Sequence, residues 1–218
     1  MEIKVLKDIL GANDQIAGNN RQLLDSNGIF AVNLMASPGA GKTSLILQTI
    51  KQLAGKASLG VIEGDVSSSI DAETIAKEGV PAVQINTGGE CHLEAGMTRN
   101  ALDNLPLKDI DILFIENVGN LICPVEFNLG EHKKVLIASV PEGDDKPVKY
   151  PAMFHEADAV VINKTDLLPY VKFDMDSFVK TIQELNGKAN IFQVSCTTGQ
   201  GIERWVSWLL AESKKKPA

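Results

Sequence analysis

From Phe30 onward the chain alternates short, nearly unbroken runs of Val, Ile and Leu with longer stretches whose apolar residues recur at helical spacing. The runs at 30–36, 57–62, 82–86, 111–116, 134–140, 159–163 and 190–194 have strand length and few polar interruptions, the pattern of strands covered on both faces. Amphipathic stretches at 42–54, 93–105, 174–186 and 201–211 are predicted as helices. This alternation predicts an α/β fold: a mainly parallel sheet of about seven strands, flanked by helices in three layers. Ahead of the break at Gly28, residues Ile3, Leu6, Ile9, Leu10, Ile16, Leu23 and Leu24 predict one or two more helices. The expected organisation is a helical segment over 1–28 and a single domain over 29–218. The polar stretch 142–147 reads as a long loop inside that domain.

Composition narrows the function. With 44% apolar and 22% charged residues, the 218-residue chain can bury a true core. Its 28 acidic and 21 basic residues give a net charge of −7, which disfavours nucleic acid as the main partner. No apolar run nears the roughly 20 residues that span a bilayer, and the first residues are too mixed for a signal peptide. A cytoplasmic protein without a membrane partner is expected. The cysteines Cys91, Cys123 and Cys196 are odd in number, so metal binding or packing is expected of them in place of a disulfide framework. The basic run 214–216 reads as a solvated tail.

Candidate chemistry begins after the first strand. Ala36-Ser37-Pro38-Gly39-Ala40-Gly41-Lys42-Thr43 follows an apolar run and opens a helix, the context of a P-loop NTPase. Gly39 and Gly41 allow backbone N–H groups to turn inward on phosphate oxygens, with Pro38, Ala40 and Ser44 completing the contact segment. Lys42 is expected on the outer phosphates, and the Thr43 hydroxyl on Mg²⁺. Ala36 stands where the commoner pattern has Gly.

The run 111–116 delivers Glu116 to a strand end, where it faces the expected Mg²⁺, and Gly119 follows as a γ-phosphate contact. The next-to-last strand run ends in Asn163-Lys164-Thr165-Asp166. An aspartate there accepts two hydrogen bonds from guanine N1 and N2, which adenine cannot offer, while the Lys164 stem lies along the base. Ser195, Cys196 and Thr197 follow the last strand and can offer backbone N–H groups to guanine O6. These ordered motifs indicate a GTP/GDP-binding protein and argue against a metabolic kinase, which has no use for the Asn-Lys-x-Asp sequence.

Glu116-Asn117-Val118-Gly119 is followed by Asn120, without the water-orienting Gln of signalling GTPases. Together with Ile62-Glu63-Gly64-Asp65, the segment 84–93 ending in Cys91-His92-Leu93, and Asn117-Val118-Gly119-Asn120-Leu121-Ile122-Cys123-Pro124, this resembles the HypB family of hydrogenase nickel-incorporation GTPases, of the SIMIBI class. The resemblance runs from about Gly28 to the C-terminus. It implies a GTP-dependent homodimer, a second nickel-maturation protein and the hydrogenase large subunit as partners. It also implies a mobile switch in which Asp65 and Asp71 read the γ-phosphate, Asp65 joining Thr43 and Glu116 at Mg²⁺ and Lys42, Asp65 and Asp71 forming the catalytic set. Lys149 is implied as a residue reaching the nucleotide of a neighbouring subunit. Departures from the family are the first 30 residues, which carry neither Cys nor His, so that no nickel store is expected within them, and Val66-Ser67-Ser68-Ser69-Ile70-Asp71 in the switch.

Cys91 and His92 follow one strand and Cys123 another, so a parallel sheet places all of them on the rim that holds the phosphates. Sulfur and nitrogen donors suit Ni²⁺ or Zn²⁺ over Mg²⁺, and three ligands leave an open position or require a second subunit. Plain packing of the cysteines is the alternative, and the polar setting of Cys91 argues against it. His132 and His155 lack a nearby Cys and read as structural or solvated. Cys123 lies seven residues beyond Glu116, so a γ-phosphate drawing in Gly119 would move the metal loop as well. Competing readings are a urease or cobalamin-enzyme GTPase chaperone and a GTP-dependent assembly switch with structural cysteines.

Overall fold

The computed structural model describes residues 6–66 and 70–215. Ile3, residues 67–69 and Lys216, which entered the sequence analysis, lie outside them. Seven strands form one parallel sheet: β1 (Phe30–Ala36), β2 (Leu59–Asp65), β3 (Ala82–Asn86), β4 (Ile112–Glu116), β5 (Lys133–Ser139), β6 (Ala159–Asn163) and β7 (Asn190–Gln193). Their spatial order is β3-β2-β4-β1-β5-β6-β7. The expected three-layer α/β architecture is what the chain adopts, and the strand order turns back at β1, which is flanked by β4 and β5. In open parallel sheets such a switch point opens a crevice at the strands' C-terminal ends.

Alternate residues of each strand feed the two faces. Val32, Leu34, Phe114, Ile137 and Val161 pack under α2 (Lys42–Leu53) and α8 (Ile202–Ser213). There Trp205 is fully buried and donates its indole N–H to Thr49 Oγ1 at 2.9 Å, so the ring contributes its apolar area, worth about 2–3 kcal/mol, without stranding its polar atom. On the opposite face, Ala31, Leu113 and Ile115 meet α1 (Leu6–Ser26) and α4 (Ala95–Leu102). Further along that face, Met35, Leu136 and Ile162 meet α6 (Pro151–Glu156) and α7 (Met175–Leu185), after the intervening α3 (Ile70–Ala76) and α5 (Lys146–Lys149).

The structure corrects several expectations. The helix α1 lies within the one or two expected, but from residue 10 onward its buried positions are Asn13, Ala17, Asn20 and Leu24, leaving Leu10 and Ile16 outside at 41% and 36% exposure. This seam works through polar contacts: Asn20 donates from its amide to the carbonyls of Ala95 and Leu129, both at 2.9 Å. Strand β2 runs on to Asp65 in place of stopping at 62, because Glu63 is buried in the sheet. Helix α4 covers only the middle of the expected 93–105, since Leu93 turns inward before it. The stretch 142–147 is not one long loop: a turn of 3₁₀ helix at Val140–Glu142 leads to α5 and α6, with Pro147 and Pro151 in first-turn positions where a missing N–H costs nothing.

Candidate nucleotide and metal site

The strand-to-helix turn after β1 wraps a cleft of about 500 Å³, lined among others by Gly39, Lys42, Thr43, Asp65, Glu116 and Gly119. Gly39 and Gly41 have φ of +74° and +103°, a left-handed region that only glycine enters freely. Gly41 is the N-cap of α2, whose unpaired N–H groups and dipole face the cleft and make it an anion site. Pro38 and Ser44 line the same cleft, whereas Ala40 is wholly buried and acts as an anchor under the loop. On the far wall a Cβ at Gly119 would lie 2.9 Å from the Pro38 ring, so glycine permits the two loops to touch.

The cation end of the cleft is built by sheet register. Glu63 on β2 and Glu116 on β4 are direct neighbours, and both are 2% exposed. Thr43 Oγ1 donates to Glu116 Oε1 at 3.1 Å, and Lys42 Nζ lies 3.8 Å from the same oxygen. Carboxylate oxygens of Glu63, Asp71 and Glu116 converge within 4.8 Å of one another. One oxygen each of Glu63 and Glu116 is buried without a hydrogen-bond partner, which in a cluster of hard oxygen donors fits a divalent cation such as Mg²⁺. Of the expected Mg²⁺ set, Thr43 and Glu116 meet here. Asp65 lines the cleft at the end of β2 but stands outside the compact cluster, which instead takes in Glu63 and Asp71. Glu63 was missed by sequence reasoning; its signal was a carboxylate continuing a run otherwise fit for burial.

Burial, followed by the neighbouring Glu116, pushes the Glu63 carboxyl from an ordinary 4.5 up to about 11, and burial also raises Glu116 against the opposing pull of Lys42. Without a cation at the site, Glu63 therefore keeps its proton in the folded chain at neutral pH and loses it on unfolding. The stability linked to this proton is complete below about pH 4.5 and is lost as pH rises toward the folded value, at up to about 1.4 kcal/mol per pH unit. Glu63→Gln, which cannot ionise, is expected to flatten the fall in melting temperature of nucleotide-free and metal-free protein between about pH 6 and pH 9. Parallel falls in the two proteins would assign the pH dependence elsewhere.

The guanine motif joins the cleft through Asn163, which is 1% exposed at the end of β6. Its amide N–H₂ donates to the Ala40 carbonyl at 3.0 Å, and its Oδ1 accepts from the N–H groups of Lys164 and Cys196 at 2.7 and 3.2 Å. One side chain thus fastens the phosphate loop, the Asn-Lys-Thr-Asp turn and the final loop together. Lys164 is the one non-glycine residue with positive φ among those described, and its ammonium caps the Gly39 carbonyl at 2.6 Å. Strain of this kind persists where the surroundings enforce it. Ser195 Oγ donates to Asp166 Oδ1 at 2.5 Å and orients that carboxylate, while Thr197 follows in the same turn. Burial raises the Cys196 thiol to about 11, in keeping with a packing role for its sulfur, and the backbone N–H groups of Cys196 and Ser195, expected on guanine O6, are spent within the chain on Asn163 Oδ1 and the Gln200 carbonyl.

On the neighbouring rim, Cys91 Sγ and Cys123 Sγ are 2.9 Å apart, and His92 completes a set of ligand atoms within 4.8 Å. His92 is 8% exposed and stacks on Phe127, with ring centroids 3.9 Å apart, and its Nε2 is buried without a hydrogen-bond partner. The Cys91 contact and then burial hold the Cys123 thiol above its ordinary pKa. Two sulfurs and an imidazole form a soft donor set suited to nickel or zinc.

Other candidates stand apart. Lys149 is exposed on α5, pairs with Asp145 and does not line this chain's cleft. His132 bonds Asp25 and accepts from the Ala31 N–H, a structural arrangement, and His155 is exposed beside Glu156.

A phosphate loop, a strand-end carboxylate and an Asn-Lys-Thr-Asp turn on one sheet edge define a P-loop nucleotide-binding protein, and the family model "CobW/HypB/UreG, nucleotide-binding domain" matches residues 30–193. More narrowly, the chain belongs to the hydrogenase maturation factor HypB family. It is 48% identical over 207 residues to the HypB of Azotobacter vinelandii, covering 95% of this chain and 68% of that protein. Its fold matches the crystal structure of HypB from Archaeoglobus fulgidus with a TM-score of 0.88 at 41% identity, covering 93% and 99% of the two chains. It likewise matches HypB from Helicobacter pylori, solved in complex with nickel, with a TM-score of 0.89 at 39% identity over 94% and 96%.

Proposed function

We propose that this chain is a GTP-binding, slowly GTP-hydrolysing metallochaperone whose nucleotide state sets its hold on a nickel ion destined for hydrogenase. The observation that carries this reading is the soft Cys91, His92 and Cys123 set, seated on segments that leave the same sheet edge as the phosphate loop. The nickel complex of the H. pylori relative supports nickel as the cargo. Zinc is a competitor for the same donors.

Lys42 and the N-terminus of α2 hold the phosphates, and Thr43, Glu63, Asp71 and Glu116 would hold Mg²⁺. That ion, when bound, neutralises phosphate charge. Asp166, oriented by Ser195, reads guanine N1 and N2. Among the described residues no glutamine or arginine lines the cleft, which supports slow turnover by the isolated chain. A GTP-dependent homodimer would bring Lys149 toward the neighbouring nucleotide and set two metal sites near each other. A second nickel-maturation protein and the hydrogenase large subunit are its partners in this reading, in the cytoplasm and without nucleic acid or membrane.

The test is a titration of Ni²⁺ and Zn²⁺ into protein loaded with GDP or a non-hydrolysable GTP analogue, following the thiolate-to-metal absorption band. Nickel affinity is expected to differ between the two states, and Cys91→Ser or Cys123→Ser to weaken it by about 100-fold or more. A band of equal strength in both states would leave a metal site without a nucleotide switch. No band would leave a GTPase with structural cysteines.

A further inference from the structure

Asn117 follows Glu116 directly, is 0% exposed, and spends its side chain on contacts outside its own strand. Its Oδ1 accepts from the Leu93 N–H and from the Val118 N–H, both at 3.0 Å. Its Nδ2 donates to Asn33 Oδ1 at 3.2 Å, and Asn33 in turn donates to Glu131 Oε1 at 3.2 Å. The other Glu131 oxygen accepts from the Leu129 N–H at 2.7 Å, which closes a buried polar chain across the sheet. Leu93 is the residue after His92, it is fully buried, and its side chain sits 2.8 Å from where a Cβ on Gly64 would be.

The same turn reaches the phosphate loop and the second half of the metal set. Gly119 lies against Pro38, and the Asn120 N–H donates to the Ala36 carbonyl at 2.8 Å. The Asn120 amide lies 3.6 Å from Cys123 Sγ. Residues 117–120 therefore touch the phosphate loop on one side and, on the other, Cys123 and the Leu93 N–H that follows His92.

We infer that Asn117 is a positioning residue that couples the two sites, transmitting displacement of the Gly119 turn to the Cys91–His92 segment through its hydrogen bond with the Leu93 N–H. This rests on the proposed nickel chaperone reading and adds a second route to the one through the Cys123 loop. An asparagine suits the task because one amide both accepts from Leu93 and donates to Asn33; an aspartate would bury a charge and forfeit the donor. Spatial connection alone does not establish coupling, so the test must read the coupling itself.

Nickel affinity is measured by calorimetry on the full chain with GDP and with a non-hydrolysable GTP analogue, for wild type, Asn117→Ala and Asn33→Ala. The expected result is that Asn117→Ala still binds nucleotide and nickel but brings the ratio of nickel affinities between the states to within about twofold of unity. Asn33→Ala, which disturbs the same buried network without removing the bond to Leu93, is expected to keep the wild-type ratio. By linkage, the effect of nickel on nucleotide affinity must shrink by the same factor. An Asn117→Ala ratio equal to wild type overturns the assignment, and so does an equal loss in Asn33→Ala. A wild-type ratio of one overturns the chaperone reading itself, and the coupling with it. Hydrogen exchange on wild-type protein needs no variant: the peptide carrying the Leu93 amide is expected to change protection between the two nucleotide states, and identical protection overturns the assignment.

Discussion

Asp166→Asn is expected to lower affinity for GDP and GTP by about 100- to 1,000-fold and to create affinity for xanthine nucleotides in their place. The charge-assisted hydrogen bond from guanine N2, worth roughly 1.5–3 kcal/mol, is lost as the incoming amide N–H₂ faces a second donor, and the one from N1 falls to an ordinary bond with a neutral carbonyl oxygen. Xanthine carries a carbonyl where guanine carries its 2-amino group, so the same amide then finds an acceptor. Ser195 Oγ holds Asp166 Oδ1 at 2.5 Å, so the reading atoms are oriented before a base arrives. Competition of labelled GDP by GDP, XDP and ADP measures all three affinities. Unchanged GDP binding would remove Asp166 from the base site, and a gain for ADP would mean that the base is read by contacts other than those argued here.

The parts of this molecule that could be read from its sequence are those written in contiguous residues. Each strand of a parallel sheet covered on both faces leaves a short apolar run, and the turn after β1 leaves Gly-Ala-Gly-Lys-Thr, so strand count and the site's rim were both visible. The buried face of α1 was not, because it is carried by Asn13 and Asn20 as much as by Leu24. Those amides bond carbonyls and N–H groups more than 70 positions away, such as Ala95 and Leu129, and no hydropathy pattern records that. Glu63 was hidden for a related reason: its meaning comes from standing beside Glu116 across two strands, which follows only from the order β2-β4. Asn117, Asn33 and Glu131 form their chain by the same non-local route. Cys91 and Cys123 could be placed on one rim by reasoning from strand ends, but their sulfur contact depends on how two irregular segments turn.

Gly41→Ala is expected to abolish measurable guanine-nucleotide binding while leaving the chain folded. At φ +103° an L-residue carries a backbone penalty of about 1–2 kcal/mol, a modest fraction of a domain's stability. The larger effect is steric and local: the new methyl group would collide with the side-chain amide of Asn163. Asn163 holds the Ala40 carbonyl and the N–H groups of Lys164 and Cys196 at once, so displacing it loosens the phosphate loop and the guanine turn together. A change in either loop alone costs one set of contacts, whereas this one costs both, and a loss of at least about 1,000-fold, some 4 kcal/mol, is expected. Thermal melting without nucleotide should fall by only a few degrees, while the stabilisation that excess GDP gives wild type, through binding to the folded state, should vanish. A variant that keeps this GDP-dependent shift would show that the loop accommodates a methyl group at 41 and that Asn163 is not the fastener between phosphate and base recognition.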